Sequence, residues 1–319
     1  MNPILEKIGR IGLVPVVKIE DAAKAPLLAK ALISGGLPCA EVTFRTEAAS
    51  DAIRAMTGSY PDMLVGAGTV INVSLAEKAV SAGARFIVSP GFNPSVVDWC
   101  LERNVPIVPG VSNPSGVEAG LEKGLEVLKF FPAEASGGTA MLDALSGPFA
   151  QVMFMPTGGI DLKNLGDYAK KTNVLAVGGS WMVRSDLIES GSWDAITALC
   201  REAVTAVHGF AFAHLGINQK HGEEAAETAN LLSLFDFGQK NGTSSIFCDT
   251  VIEVMKSPFR GTMGHIGLKC WNIERALAYL GQFGILGLEE TAKKEKGVLT
   301  VIYLDREIGG FAIHLVRAK

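Results

Sequence analysis

The sequence predicts an α/β protein, a (β/α)8 TIM barrel followed by a smaller α+β domain of paired β-α-β modules. Three observations carry this prediction. Short β-rich runs alternate with helical patterns eight times in the first 180 residues, at roughly 20–25 residues per unit, which is the rhythm of a barrel. A doubly wound open sheet rarely needs eight parallel strands. Farther on, two matching openings, HLGI and HIGL, each lead into a helix and further β-rich runs, which marks an internal repeat. Finally, 319 residues with 48% hydrophobic and 19% charged side chains suit a well-buried globule too long for one small core.

The strands run in order as VPVVKI (14–19), CAEVTF (39–44), LVGAGTV (64–70), FIVSPG (86–91), PIVPGVS (106–112), VLKFFPA (127–133), VMFMPTGG (152–159) and VLAVGGS (174–180). Helical stretches such as AAKAPLLAKALISGG, EAASDAIRAMTG and VSLAEKAVSAGA separate them. The last groups Leu75, Ala79 and Val80 as an apolar stripe that closes on Gly83. The barrel occupies residues 1–207 and the second domain 212–319, with the boundary near 207–211. In the tail, FAHLGIN (212–218) precedes the helical EEAAETANLLSLFDFG and then SSIFCDTVIEVM. GHIGLKC (264–270) opens the second pass, followed by NIERALAYLGQFG, GLEETA, LTVIYLDRE and FAIHLVRA.

The totals exclude several classes. A net charge of −4 without a basic block gives no electrostatic case for nucleic acid. The first thirty residues lack a signal-peptide pattern, and Lys18, Glu20 and Asp21 interrupt any early apolar run. No uninterrupted apolar span is long enough for a bilayer, so no membrane partner is expected. The five cysteines, at 39, 100, 200, 248 and 270, are odd in number and contain no CxxC pair. They read as reduced core thiols of a cytoplasmic protein.

Barrel sites sit at the C-terminal ends of strands. On the second strand Glu41, Thr43 and Arg45 share a face by parity, and on the sixth Lys129 shares its face with Val127 and Phe131. If those faces point inward, a carboxylate, an amine and a guanidinium converge inside the barrel. Desolvation disfavours an ammonium, and a neutral amine adds to ketones to give a Schiff base, an electron sink. Glu41 would then move protons and Arg45 would grip a carboxylate in a bidentate way. A buried Glu41–Lys129 ion pair without chemistry is the competing account. All five histidines (208, 214, 221, 265, 314) follow the barrel, which leaves it no imidazole for a zinc site or an electrophile and points to lysine chemistry. Lys18, the other strand lysine, precedes Glu20 and Asp21 and reads as a solvated or ligand-contacting amine. PTGG (156–159) and GGS (178–180) end the seventh and eighth strands, where glycine turns with free N–H groups form the common barrel phosphate site.

EVTFRT, GAGTV, SPG, LKFFPAE, PTGG and GGSW, in this order, resemble the 2-keto-3-deoxy-6-phosphogluconate and 4-hydroxy-2-oxoglutarate aldolases, class I aldolases of the pyruvate type, over about residues 1–205. The resemblance implies that Lys129 forms the Schiff base and that Glu41 is the acid/base residue. Arg45 and Thr69 would bind the pyruvate end beside Pro90 and Phe131. Thr157, Gly158, Gly159, Gly179 and Ser180 would line the phosphate end. The implied substrate is a small phosphorylated keto acid, the implied assembly a homotrimer, and no cofactor is needed. Short keto acids such as 4-hydroxy-2-oxoglutarate and the galactonate epimer are alternative substrates. A decayed barrel acting as a ligand sensor is a further alternative, against which the intact Glu41 and Lys129 speak.

The tail more weakly resembles the vicinal oxygen chelate (glyoxalase-like) superfamily over 212–319. That resemblance implies metal ligands at His214, Glu253, His265 and His314, the last standing where a glutamate is more usual. Such a set could hold a divalent ion at an open position. The loose spacing favours the plainer account, ordinary strand residues of a metal-free fold that helps oligomerise or cover the barrel. His221, beside Gly222, reads as a solvated loop residue.

Overall fold

The chain opens on a helix that the strand–helix rhythm does not announce. In the computed structural model, which describes residues 1–318, α1 spans Pro3–Ile11. Asn2 caps it by accepting the Ile4 N–H at 2.9 Å, Pro3 presets φ in its first turn, and Gly12 ends it at φ 78°. Its buried Leu5 and Ile8 join Val14, Phe86, Val127 and Met155 in one apolar core.

The strands that follow are β1 (Leu13–Val17), β2 (Cys39–Thr43), β3 (Leu64–Gly68), β4 (Ile87–Val88), β5 (Ile107–Val108), β6 (Gly110–Val111), β7 (Val127–Phe130), β8 (Met153–Pro156) and β9 (Val177–Gly179). The helices α2 (Ala25–Ser34), α3 (Ala49–Ser59), α4 (Val73–Ser81), α5 (Pro94–Glu102), α6 (Pro114–Glu122), α7 (Gly138–Ser146), α8 (Leu165–Ala169), α9 (Ser185–Glu189) and α10 (Trp193–His208) are interspersed. Asn72, Asn93 and Asn113 cap α4, α5 and α6 with their side chains, each worth about 1 kcal/mol.

All strand pairs in this unit are parallel. One sheet runs β5-β4-β3-β2-β1-β9 and another β6-β7-β8, and bridges at Phe154↔Val174 and Thr157↔Gly178 carry β8 to β9. The sequence reads 106–112 as one strand, but Pro109 splits it into β5 and β6. Proline has no N–H for the ladder, although its carbonyl still accepts the Lys129 N–H at 2.9 Å. The result is a barrel-like sheet. Glu41 pairs with Gly66, and Lys129 with Gly110. Cys39 and Val127, two residues before Glu41 and Lys129, belong to the interior core, so both charged side chains share the inward face.

The chain divides into two compact units, Met1–Val207 and a second from His208 onward. The second unit adds β10 (Ala211–Asn218), α11 (Gly222–Ser233), β11 (Gln239–Asn241), β12 (Ser245–Cys248), β13 (Ile252–Met255), β14 (Gly264–Cys270), α12 (Ile273–Gly281), β15 (Lys293–Glu295), β16 (Val298–Ile308) and β17 (Phe311–Arg317). Its single sheet has the order β11-β12-β13-β10-β14-β17-β16-β15. Each half is therefore one strand, one helix and three antiparallel strands, which corrects the β-α-β expectation. SSIFCDTVIEVM is the clearest case: it forms two strands, because Asp249 takes a left-handed φ of 52° and reverses the chain. The two halves meet where β10 pairs antiparallel with β14. All five cysteines are buried and unpaired. Among the described residues no helix is long and apolar enough to cross a membrane.

Candidate active site

Two strands, one from each sheet of the first unit, bring its charged residues together. Lys129 Nζ on β7 lies 3.2 Å from Glu41 Oε1 on β2, and only 6% and 1% of these side chains is exposed. Isolated charges this deep are costly, and each here has the other as partner. Glu41 Oε2 accepts no hydrogen bond, which leaves it available to a ligand. The Lys129 ammonium nitrogen also sits 5.2 Å from the centre of the Phe131 ring.

Glycine makes room for this carboxylate. A Cβ on Gly66 would lie 2.4 Å from the Phe86 ring, and one on Gly68 would lie 2.1 Å from Glu41 Oε1. Two glycines in one strand weaken it, and such pairs mark close approach. The GAG of β3 is that signal.

Thr43 spends its hydroxyl on structure, donating to the Val17 carbonyl at 2.8 Å. Arg45 stands beyond the end of β2 in a turn, so the shared strand face expected of it does not extend that far. There its Nε donates to Thr69 Oγ1 at 3.3 Å, and Thr69 itself has a left-handed φ of 58°. Pro90 abuts Gly110, the residue paired with Lys129, and so lies one strand away from the amine.

The other polar groups line a cavity of about 620 Å³. Thr43, Arg45, Phe131, Thr157, Gly158, Gly159, Gly179 and Ser180 form its wall together with Lys18 and Arg184. Gly158 and Gly159 have φ of 102° and 79°, a left-handed pair that only glycine adopts without strain. Opposite them, Thr157 Oγ1 is buried with no partner, and a Cβ on Gly178 would meet it at 2.2 Å. The Gly158 carbonyl accepts the Glu134 N–H at 3.1 Å, and the Tyr168 hydroxyl donates to Glu134 Oε1 in a short hydrogen bond. Burial first, and then this carboxylate, raise the Tyr168 pKa. Glu134 and Tyr168 thus brace the glycine turn, a role the sequence did not signal. Lys18 is exposed at the rim, ion-paired with Glu20 at 2.8 Å.

The second unit contains a separate cluster. His214 Nε2 lies 3.2 Å from both His265 Nε2 and His314 Nε2, and Glu253 Oε2 lies 3.2 Å from His265 and 3.5 Å from His214. The strand registers explain the convergence. Gly216 on β10 is flanked by Glu253 and His265, and Gly267 on β14 by His214 and His314. Each HxG segment therefore supplies a histidine and, two residues later, the space for the other half's histidine. A Cβ on Gly267 would lie 2.7 Å from both of its histidine neighbours. Burial lowers the His214 pKa and brings that of His314 down to about 3, so both rings are uncharged at neutral pH. Burial pushes Glu253 up, but hydrogen bonds from His265 and Ser245 outweigh it and hold the carboxylate below its usual range. Nδ1 of His265 and of His314 has no partner, and the His314 ring is held by Tyr303 stacked at 4.7 Å. Ligands about 2.1 Å from one ion stand about 3.0 Å apart at octahedral right angles and about 3.4 Å apart in a tetrahedron. The three contacts at 3.2 Å fall between these values. His221 is exposed just before Gly222, as expected, and in addition caps α11, its Nδ1 accepting the Glu224 N–H at 3.4 Å.

The family model described as KDPG and KHG aldolase matches residues 4–199. The 2-dehydro-3-deoxy-phosphogluconate aldolase of Treponema pallidum is 49% identical over 207 residues, 65% of this chain and 99% of that protein. The KHG/KDPG aldolase of Escherichia coli K12 is 47% identical over 191 residues, 60% of this chain and 90% of that protein. Among solved structures, KDPG aldolase from Legionella pneumophila, with pyruvate captured as a covalent carbinolamine intermediate, is 41% identical with a TM-score of 0.61, covering 62% of this chain and 97% of its own. The aldolase of Zymomonas mobilis ZM4 with 3-phosphoglycerate is 40% identical with a TM-score of 0.58, covering 63% and 94%.

Proposed function

The chain belongs to the KDPG and KHG aldolase family, and on that premise we propose that residues 1–207 form a (β/α)8 barrel cleaving 2-keto-3-deoxy-6-phosphogluconate to pyruvate and glyceraldehyde 3-phosphate. It is a carbon–carbon lyase of the Schiff-base class, which needs no metal. The buried contact between Lys129 and Glu41 carries the assignment of residues to steps. Proton transfer from Lys129 to Glu41 Oε1 across 3.2 Å frees the amine to attack the C2 ketone, and Glu41 then passes that proton to the carbinolamine hydroxyl, which leaves as water to give an iminium and a carboxylate again. Glu41, working through a water, takes the proton of the C4 hydroxyl. The C3–C4 bond breaks, the aldehyde leaves, and the electron pair passes into an enamine on the Lys129 nitrogen. Glu41 returns a proton to that carbon, and hydrolysis frees pyruvate. Arg45 and Thr69, already joined, bind the carboxylate end beside Pro90 and Phe131. The phosphate end falls to Thr157, Gly158, Gly159, Gly179 and Ser180, which line the cavity at the ends of β8 and β9. The same site also accepts 4-hydroxy-2-oxoglutarate, giving pyruvate and glyoxylate.

Borohydride reduction in the presence of pyruvate, followed by peptide mass spectrometry, tests the assignment. A reduced pyruvyl adduct is expected on Lys129 and is lost in Lys129→Met. No adduct, or one on Lys18, overturns it. The protein works in the cytoplasm as a homotrimer, and sedimentation velocity checks the assembly.

The second unit is read as a vicinal oxygen chelate-like pair of modules in which His214, Glu253, His265 and His314 hold a divalent cation. Three imidazoles whose ring nitrogens lie within 4.8 Å of one another, with the Glu253 carboxylate 3.2 Å from His265, support this. The cation would supply a Lewis-acidic centre. Elemental analysis of the full chain, with and without His214→Ala, decides it.

A further inference from the structure

None of the residues assigned to the phosphate end carries a formal charge. Thr157, Ser180 and three glycines are neutral, whereas a phosphate monoester carries about −1.5 to −2 at pH 7. A contact with an ionised partner is roughly twice as strong as a neutral one, so a cation at that end would add most to the grip.

The cavity wall supplies one. Its charged residues are Lys18, Arg45, Arg184 and Asp186. Arg45 is hydrogen-bonded to Thr69 and serves the carboxylate end. Lys18 is drawn at 2.8 Å to Glu20, which is not part of this wall. Arg184 differs from both. A single 3-10 turn, Trp181–Val183, separates it from Ser180, so the chain itself fixes it close to the end of β9. Its guanidinium grips Asp186 through two contacts, Nε to Oδ1 at 3.0 Å and Nη2 to Oδ2 at 2.5 Å. That fork is also the geometry in which arginine takes phosphate oxygens. Both side chains are 59% exposed. An ion pair so exposed is worth little, and a dianion can displace the carboxylate from it.

We infer that Arg184 takes the phosphate of the substrate, whose oxygens displace Asp186 from the guanidinium fork. The inference rests on the lyase reading given above and deepens it: preference for a phosphorylated over a phosphate-free keto acid becomes the property of one exchangeable arginine. 4-Hydroxy-2-oxoglutarate ends short of the phosphate position and gains nothing from the exchange. Asp186 is then a competitor for the guanidinium, and its removal helps the phosphorylated substrate. A pair that merely pinned the start of α9 would give its two neutralised variants effects of the same sign.

Steady-state kinetics on the full chain tests this by comparing kcat/KM for 2-keto-3-deoxy-6-phosphogluconate and for 4-hydroxy-2-oxoglutarate. In Arg184→Gln the ratio of the first to the second should fall roughly ten-fold, the loss of one charge-assisted contact, and the fall should lie in KM. Arg184→Lys, which keeps the charge without the fork, should recover part of it. Asp186→Asn should raise the ratio about three-fold, because the competing carboxylate is gone. Both side chains are exposed, and circular dichroism confirms that each variant is folded. A parent that does not cleave the phosphorylated substrate overturns the lyase reading itself. With an active parent, an unchanged ratio in Arg184→Gln, an equal loss on both substrates, or a ratio that does not rise in Asp186→Asn overturns the inference and leaves the lyase reading standing. A ratio lowered by Lys18→Gln and not by Arg184→Gln gives the role to Lys18 and overturns the inference as well.

Discussion

Gly68→Ala isolates the placement of Glu41 without altering any acid, base or nucleophile. The added Cβ would stand 2.1 Å from Oε1, 2.6 Å from Cγ and 2.7 Å from Cδ of Glu41, and contacts under 3.0 Å are essentially never seen. The backbone cannot yield, because β3 is held between β2 and β4 and the Gly68 carbonyl accepts the Phe44 N–H at 2.8 Å. Gly68 does not have a left-handed φ, so alanine suits its conformation. The carboxylate must therefore retreat by about 1 Å and lose its 3.2 Å contact with Lys129. A displacement of that size costs about 10²-fold in rate, or about 2.7 kcal/mol. Complete loss of the acid/base group, as in Glu41→Gln, costs about 10²–10⁴-fold. Pyruvate release, coupled to NADH oxidation by lactate dehydrogenase, measures kcat, and a thermal melt confirms folding. The double variant should be no slower than Glu41→Gln alone, since both changes disable one function. A folded Gly68→Ala protein with kcat within about three-fold of the parent would refute the placement of Glu41 as the proton-moving group.

Three further outcomes follow from the geometry. Ser180→Ala should raise KM for the phosphorylated substrate by roughly ten-fold or more, the worth of one hydrogen bond to a charged group, and leave 4-hydroxy-2-oxoglutarate cleavage unchanged in steady-state kinetics. Phe86→Ala empties a fully buried site beneath Gly66 and should cost about 3–5 kcal/mol in denaturant unfolding. His208, stacked on Phe210 and tilted against Tyr279, has its pKa lowered by burial, and then by Arg275, from 6.5 to about 4. The unfolded chain therefore takes up this proton first, so the stabilisation is complete above pH 6.5 and is lost as pH falls towards 4, by about 3 kcal/mol. Chemical denaturation at pH 7.5 and 4.5 should show a smaller acid loss in His208→Phe than in the parent.

The sequence is legible where a periodic pattern and a strand end coincide. Parity put Glu41 and Lys129 on one interior, and the glycine turns announced the wall formed by Gly158, Gly159 and Gly179. It was illegible where a role depends on contact across the fold. Arg45 was assigned to a strand that ends two residues earlier, because alternation does not reveal where pairing stops. Gly68 looked like any strand glycine until Glu41 lay above it. Helix α1 lies before the first strand, outside the strand–helix rhythm, although Asn2 and Pro3 mark its start and Ile4, Leu5, Ile8 and Ile11 form an apolar stripe that enters the core. The four side chains of the second cluster span a hundred residues, from His214 to His314, and only strand register unites them.

That register has a consequence for assembly of the second unit. In each HxG segment a histidine and a glycine occupy the same face two positions apart. A slip of β10 against β14 by a single residue would turn His214 and Gly216 together to the other side of the sheet. One error would then remove His214 and at the same time close the gap that admits His265. The cluster behaves as a two-key lock: both halves must arrive in the correct alignment before any of its four side chains can meet, so its formation certifies the pairing of the two halves.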